Sequence, residues 1–315
     1  MGTRGGKPRA IFFGSPAFAV PCLAATAEAA ELVAVVSQPD RPAGRGNQLT
    51  PPAVKVAAAR LDVPVLQPEK IRPPEFEATL RSFAADVFVV VAYGRILPQA
   101  LLDLPRLGPW NVHASLLPSL RGAAPIQWSI IGGDARTGVS IMRMEAGLDT
   151  GPVAAVADTA IADDDTSATL SARLSALGAA LLARTLPVIA AGVVTLQRQD
   201  DAAATLAPLL KKEDGHLDFT RPARAVSARA RGVDPWPGAF ALFDGQPLKL
   251  FGPRVLAPGA GGAPGTVGGA SADGLIVACG DGSVSFAEVQ LPGRKRLPAA
   301  AVLAGQPALA TAVLR

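Results

Sequence analysis

The chain is 315 residues long, 49% hydrophobic and 18% charged, with a formal net charge of +4. That length holds one large domain or two smaller ones around a substantial core of Ala, Val and Leu, and so small a net charge is by itself no argument for a polyanionic partner. Only two cysteines (Cys22, Cys279) and two histidines (His113, His216) are present, none in a metal-binding spacing, which excludes a His-rich metal centre and fits a reducing compartment.

Residues 1–9 are rich in Gly, Lys and Arg and read as a loose leader. Residues 10–27 lack charge and mimic a signal peptide, but Gly14-Ser15, Pro16 and Pro21 break any apolar helix there. A strand over 10–13, a Pro-containing loop and a helix over 18–30 are predicted instead. A second strand over 32–36 runs into a long loop, 38–52, followed by a helix over 52–61, a short strand over 63–66 and a helix over 74–84 with Pro74 in its first turn. Residues 86–92 are apolar without alternation, which suits the middle of a parallel sheet. The end of that run delivers Tyr93-Gly94-Arg95-Ile96. The next strand carries Asn111 and His113, a helix covers 124–131, and a strand over 138–144 leads to Asp149. A long helix over 164–190, capped by Thr166, closes this part.

The alternation predicts an α/β fold, a Rossmann-like doubly wound parallel sheet over 1–191, with ligands outside the carboxyl ends of its strands. There the loops 38–52, 93–96, 111–121 and 147–151 would meet in one cleft. A linker is expected over 192–209. From 210 to 315 short apolar runs (239–243, 248–251, 274–278, 284–287) are split by Asp244-Gly245, Pro253 and a Gly-rich loop over 258–269, the pattern of a small β-barrel of OB-like type. No segment reaches membrane-spanning length free of charge, Gly and Pro, so a soluble, cytoplasmic protein without membrane contact is expected; a monomer is expected, though no feature of the sequence gives the oligomeric state.

Asn111 and His113 are two positions apart, so on a strand an amide donor and an imidazole face the same space. Asp149 sits between the turn residues of Gly147-Leu148-Asp149-Thr150-Gly151. An amide, an imidazole and a carboxylate brought together suit acyl transfer. A buried hydrogen-bonded trio in a strand-to-helix connection satisfies the same spacing. A dinucleotide is not expected: Gly14-Ser15-Pro16-Ala17-Phe18-Ala19 lacks two glycines of GxGxxG, and Pro16 removes an amide donor where phosphate needs one.

Three motifs together, 111–118 (Asn-Val-His-Ala-Ser-Leu-Leu-Pro), 121–127 (Arg-Gly-Ala-Ala-Pro-Ile-Gln) and 147–151, resemble the signature of folate-dependent formyltransferases. Phe13-Gly14-Ser15-Pro16 and residues 38–46 agree with it. The resemblance is dense up to about Val153 and thin afterwards, and it is strongest to the branch whose acceptor is initiator methionyl-tRNA. It implies transfer of a formyl group from 10-formyltetrahydrofolate to the α-amino group of methionine on that tRNA, with no metal. Asn111 and His113 would serve the formyl oxygen and Asp149 would orient His113. Ser115, Leu116, Leu117 and Pro118 map onto the folate contact, and Tyr93-Gly94-Arg95 would line the same slot. The loop with Arg41 and Arg45 maps onto the clamp on the acceptor stem.

Asn47 and Gln48 stand where relatives often carry lysines, Ser119-Leu120 where a basic-aromatic pair is usual, and Trp110 where a smaller aliphatic is common. Residues 1–207 carry 18 Lys and Arg against 18 Asp and Glu; residues 208–315 carry 12 against 8, the whole excess. Lys211 and Lys212 head the basic candidates for RNA phosphate in that tail. Two rivals use the same letters: a formyltransferase for a small amine (a glycinamide ribonucleotide or an amino-sugar nucleotide), and an RNA-binding protein with an inactive folate domain. The arginine loop and the basic tail separate the first rival, the intact trio the second.

Overall fold

An all-apolar strand has to be covered on both faces, and Val87–Val91 is buried at every position in the centre of a seven-stranded sheet. The computed structural model describes residues 6–43, 48–256, 262–271 and 274–315. The chain divides into two compact units: Met1–Ala123 with Gly138–Thr159 and Ser171–Ala207, and Ala124–Thr137 with Ala160–Leu170 and Pro208–Arg315.

In chain order the elements are β1 (Arg9–Gly14), α1 (Val20–Ala29), β2 (Glu31–Val36), β3 (Arg41–Ala43), β4 (Gln48–Thr50), α2 (Ala53–Ala58), β5 (Val65–Leu66), α3 (Pro74–Ser82), β6 (Val87–Val91), α4 (Gln99–Leu102), β7 (Pro109–His113), β8 (Arg121–Gly122), α5 (Pro125–Ile131), β9 (Arg136–Arg143), β10 (Val153–Ala160), α6 (Ser167–Ala190) and β11 (Leu206–Ala207). The large sheet runs β10-β9-β7-β6-β1-β2-β5. Its five strands from β7 to β5 are parallel, as the βα alternation predicts; β9 joins β7 antiparallel, so the sheet is mixed at that side. Ile11, Phe13, Ala34, Val36, Phe88, Val90 and Tyr93 build one buried layer with Leu80 and Leu101 from the helices, and the Phe13 ring lies 5.1 Å from Phe88 and 5.5 Å from Tyr93.

The predicted loop 38–52 holds a short antiparallel ribbon, β3 with β4. Residues 44–47 between them, Arg45 included, lie outside the described residues. Thr166 caps α6 as its letters suggest: the Thr169 amide donates to its hydroxyl (3.3 Å), and the Thr166 amide donates back to the Thr169 hydroxyl (2.9 Å). By length and composition α6 is apolar enough to cross a membrane, but it buries Leu170, Leu174, Leu182 and Leu186 inside the protein, as a core helix does.

The second unit adds α7 (Ala223–Gly232), β12 (Phe240–Phe243), β13 (Gln246–Leu256), β14 (Val267–Ser271), β15 (Gly274–Ala278), β16 (Ser283–Gln290), β17 (Leu297–Pro298) and α8 (Ala299–Gly305). The strands pair antiparallel in the order β12-β13-β16-β15-β14, with β17 beside β16, and the sheet curls into the small half-barrel its turn-split runs foretell. Leu248, Leu250, Leu275, Val277, Val284 and Phe286 fill it.

Both cysteines are buried and free. Burial pushes the Cys22 thiol up to about 12 and the Cys279 thiol up to about 11, so neither forms thiolate near neutrality. Native protein at pH 8 is expected to resist iodoacetamide at both positions and to take two labels in denaturant; rapid native labelling at either would contradict the packing. Truncating Phe88, 1% exposed at the centre of the sheet, should cost about 3–5 kcal/mol in a denaturant titration.

Candidate active site

Three strand ends are sewn together at the carboxyl edge of the sheet. The Ser15 hydroxyl accepts from the Gln38 amide (3.1 Å) and donates to the Tyr93 carbonyl (3.4 Å), while the Gln38 side chain donates to that same carbonyl (3.0 Å). Arg95 then reaches the Gln38 side chain and the carbonyls of Pro68 and Glu69. Asp40 anchors the base of the β3–β4 ribbon, accepting from Lys55 (2.8 Å) and Gln67 (2.7 Å). Arg41 is exposed, with one long contact to Gln38 (3.4 Å).

At the neighbouring strand, β7 runs on past β6 to His113. Asn111 faces Met142, and His113 faces Ser140, on β9. Their side chains converge on Asp149, 38 residues from Asn111 in the chain. Asn111 Nδ2 is 3.4 Å from Asp149 Oδ1, a long bond, and the Gly122 amide donates to Asp149 Oδ2 at 2.9 Å. His113 Nδ1 stands 3.6 Å from the same Oδ2, near enough for charge attraction and too far for a hydrogen bond. Its Nε2 is 3.0 Å from the Leu120 carbonyl, which can only accept, so Nε2 carries a proton. The imidazole is 5% exposed, so this arrangement is largely sheltered from water.

Two glycines explain the motif spacing. Gly122 has φ +125°, and a Cβ there would meet the Ala207 carbonyl at 2.6 Å; at Gly151 a Cβ would meet the Arg143 carbonyl at 1.8 Å. Asp149 itself takes φ +54°, a strained conformation for a side chain held between those turns.

Ser115 is fully buried. Its hydroxyl donates to the Ser119 carbonyl (2.6 Å), its carbonyl accepts from Ser140 (2.8 Å), and Ser140 in turn accepts from the Leu117 amide (3.1 Å). Leu116, Leu117 and Pro118 are half-buried, and Leu116 packs over Gly138. Two large apolar side chains next in sequence to Arg95 and Asp149 stand in the open: Ile96 is 83% and Leu148 55% exposed. Lys211 and Lys212 belong to the second unit and are exposed; Glu213 and Asp214 follow them immediately, so that turn is not a basic patch by itself. Among the described residues no group of three or more His, Cys, Asp or Glu is placed to hold a metal ion.

The model of the formyl transferase family matches residues 9–186, and that of the formyl transferase C-terminal domain matches residues 209–307. The chain belongs to the formyl transferase family. It is 50% identical over 298 residues to the methionyl-tRNA formyltransferase of Citrifermentans bemidjiense (94% of this chain, 93% of that one) and 51% identical over 299 residues to that of Myxococcus xanthus (95% of each). Among solved structures it shares its fold with WlaRD, a sugar 3N-formyl transferase crystallised with dTDP and 5-N-formyl-THF (TM-score 0.68, 14% identity, covering 92% of this chain and 100% of that one). It also shares the fold of HypX from Aquifex aeolicus in complex with tetrahydrofolic acid (TM-score 0.62, 16% identity, 95% of this chain, 47% of that one).

Sequence reasoning missed three groups around Asp149: the Leu120 carbonyl, the Gly122 amide, and Gln199, whose Nε2 donates to the Asp149 and Gly151 carbonyls at 2.8 and 2.7 Å. Two are main-chain atoms with no letter of their own. The third lies 50 residues from Asp149 in a stretch with no motif.

The hydrogen bonds from Gln67 and Lys55 hold the Asp40 carboxyl below its usual range. Because the folded value lies below the unfolded one, this anchor contributes stability above the ordinary carboxylate range and loses it as pH falls through the lowered value. A 13C NMR titration is expected to place Asp40 below free aspartate, and Gln67→Leu or Lys55→Met to raise it; an unchanged midpoint would contradict the anchor.

Proposed function

We propose that this chain transfers the formyl group of 10-formyltetrahydrofolate to the α-amino group of methionine on initiator methionyl-tRNA, as a cytoplasmic monomer. The convergence of Asn111, His113 and Asp149 carries the chemical half of this reading. The acceptor is supported by relatives named methionyl-tRNA formyltransferase at about half identity along nearly the whole chain.

Asn111 gives Asp149 only a long contact, which leaves its amide free to donate to the formyl oxygen, where negative charge grows as the amine attacks the carbon. His113 is the second donor: its Nε2 proton, held by the Leu120 carbonyl in this state, exchanges that acceptor for the oxygen. Asp149 stabilises the imidazole and receives the proton that the amine sheds as its new bond to carbon forms. Delivered to the departing folate nitrogen as the old bond breaks, that proton balances the reaction. Leu116, Leu117 and Pro118, with Ser115 fixing their backbone, wall the folate slot, and the exposed Ile96 and Leu148 offer further apolar surface to a flat ring. Arg41, Arg45, Lys211 and Lys212 take RNA phosphates, a role that makes binding salt-dependent.

Incubation with 10-formyltetrahydrofolate and charged initiator tRNA is expected to yield formyl-methionyl-tRNA. Transfer only to free small amines, or none, would overturn the reading. Asn111→Ala and His113→Ala should each lose about 3–4 kcal/mol of transition-state stabilisation, two to three orders of magnitude in kcat, without unfolding. Near-normal turnover in either removes that residue from the mechanism.

A further inference from the structure

Residues 192–209 carry no motif and read as a linker, yet 197–207 are folded against the first unit. Gln197 exchanges both backbone hydrogen bonds with Val153, four residues past Asp149 (2.8 and 2.9 Å). At the other end, β11 pairs with β8: the Arg121 amide donates to the Thr205 carbonyl and the Leu120 amide to the Thr205 hydroxyl, both at 2.8 Å. The segment is a strap across the two loops that supply Asp149 and its partners.

Gln199 joins those loops through one side chain. Its Nε2 donates to the carbonyls of Asp149 and Gly151. Its Oε1 accepts twice from the Arg121 guanidinium, from Nε at 3.0 Å and Nη2 at 2.9 Å. Arg121, 6% exposed, also reaches Asp201 at 2.7 Å. The residues flanking Arg121 are those that meet the trio: Leu120 accepts from His113, and Gly122 donates to Asp149. Both donors and the acceptor of the amide are therefore used, and each bond ends on one side of the acid. Asp149 sits at φ +54° and needs such over-determination to stay there.

We propose that Gln199 is a positioning residue for formyl transfer: it locks the Asp149 turn to the Leu120–Gly122 turn and so fixes the carboxylate against His113. This inference rests on the formyl-transfer reading above. It concerns the chemical step, since the hydrogen bonds of the Gln199 side chain end on Arg121, Asp149 and Gly151.

The test compares wild type, Gln199→Glu and Gln199→Leu with 10-formyltetrahydrofolate and methionyl initiator tRNA, alone and in the Asp149→Asn background. Gln199→Glu is near-isosteric and keeps an acceptor for Arg121 while replacing the donor with an oxygen that faces two carbonyls. Both single variants are expected to lose about tenfold to a hundredfold in kcat, the scale of a small misplacement of a reacting group, with both KM values within about twofold of wild type. In the Asp149→Asn background either change should cost almost nothing more, because the group it positions is already disabled. Wild-type kcat in Gln199→Glu, a loss confined to KM, or losses that multiply in the double variants would each overturn the inference. Failure of both single variants to fold would do so too, since the residue would then be merely structural. An inactive wild-type protein would strike the formyl-transfer reading instead.

Discussion

A single carboxylate does most of the organising. Asp149 accepts from the Gly122 amide and the Asn111 side chain and faces the His113 ring, so groups from a strand, a turn after that strand and a separate turn share one acceptor. Only the Gly122 bond is short, at 2.9 Å; the Asn111 bond is 3.4 Å and the His113 contact 3.6 Å. Their value lies in being made together in a nearly dry site, where a misplaced charge is costly and a well-placed one acts at reduced dielectric.

The sheet makes that convergence possible. β7 carries His113 beyond its pairing with β6, and Asn111 and His113, two positions apart, turn the same way toward Asp149, which follows the antiparallel β9. The antiparallel β9 then backs β7, and Ser140 on it ties down the Ser115–Leu117 stretch. A second set of bonds, among Ser15, Gln38, Tyr93 and Arg95, holds the edge on the other side of β6. The proposed folate surface and the proposed chemistry thus hang from consecutive strand ends.

Much of this was legible in the letters. Val87–Val91 announced a buried central strand because five apolar residues without alternation have no solvated face to offer, and the i, i+2 spacing of Asn111 and His113 put them on one side of β7. Thr166 declared its cap. The rest was hidden for a physical reason: it is made of main-chain atoms and long-range pairs. The Leu120 carbonyl and Gly122 amide are not encoded by side-chain identity, and no periodicity links Gln199 to Arg121, 78 residues earlier. The stretch containing Gln199 has neither helical nor strand patterning, so it reads as a connector; its order comes from the bonds it makes to turns elsewhere. The β3–β4 ribbon was concealed in the same way, since three-residue strands leave too short a pattern to read.

The measurement that bears most directly on this arrangement is the 15N NMR signature of the His113 ring, one of only two histidines in the chain, in wild type and in Asp149→Asn. A ring held as described shows a protonated Nε2 in both proteins and an Nδ1 resonance that moves when the facing carboxylate becomes an amide. An Nδ1 indifferent to that exchange, or an Nε2 without its proton, would mean that imidazole and acid do not meet, and the account of the site would fail.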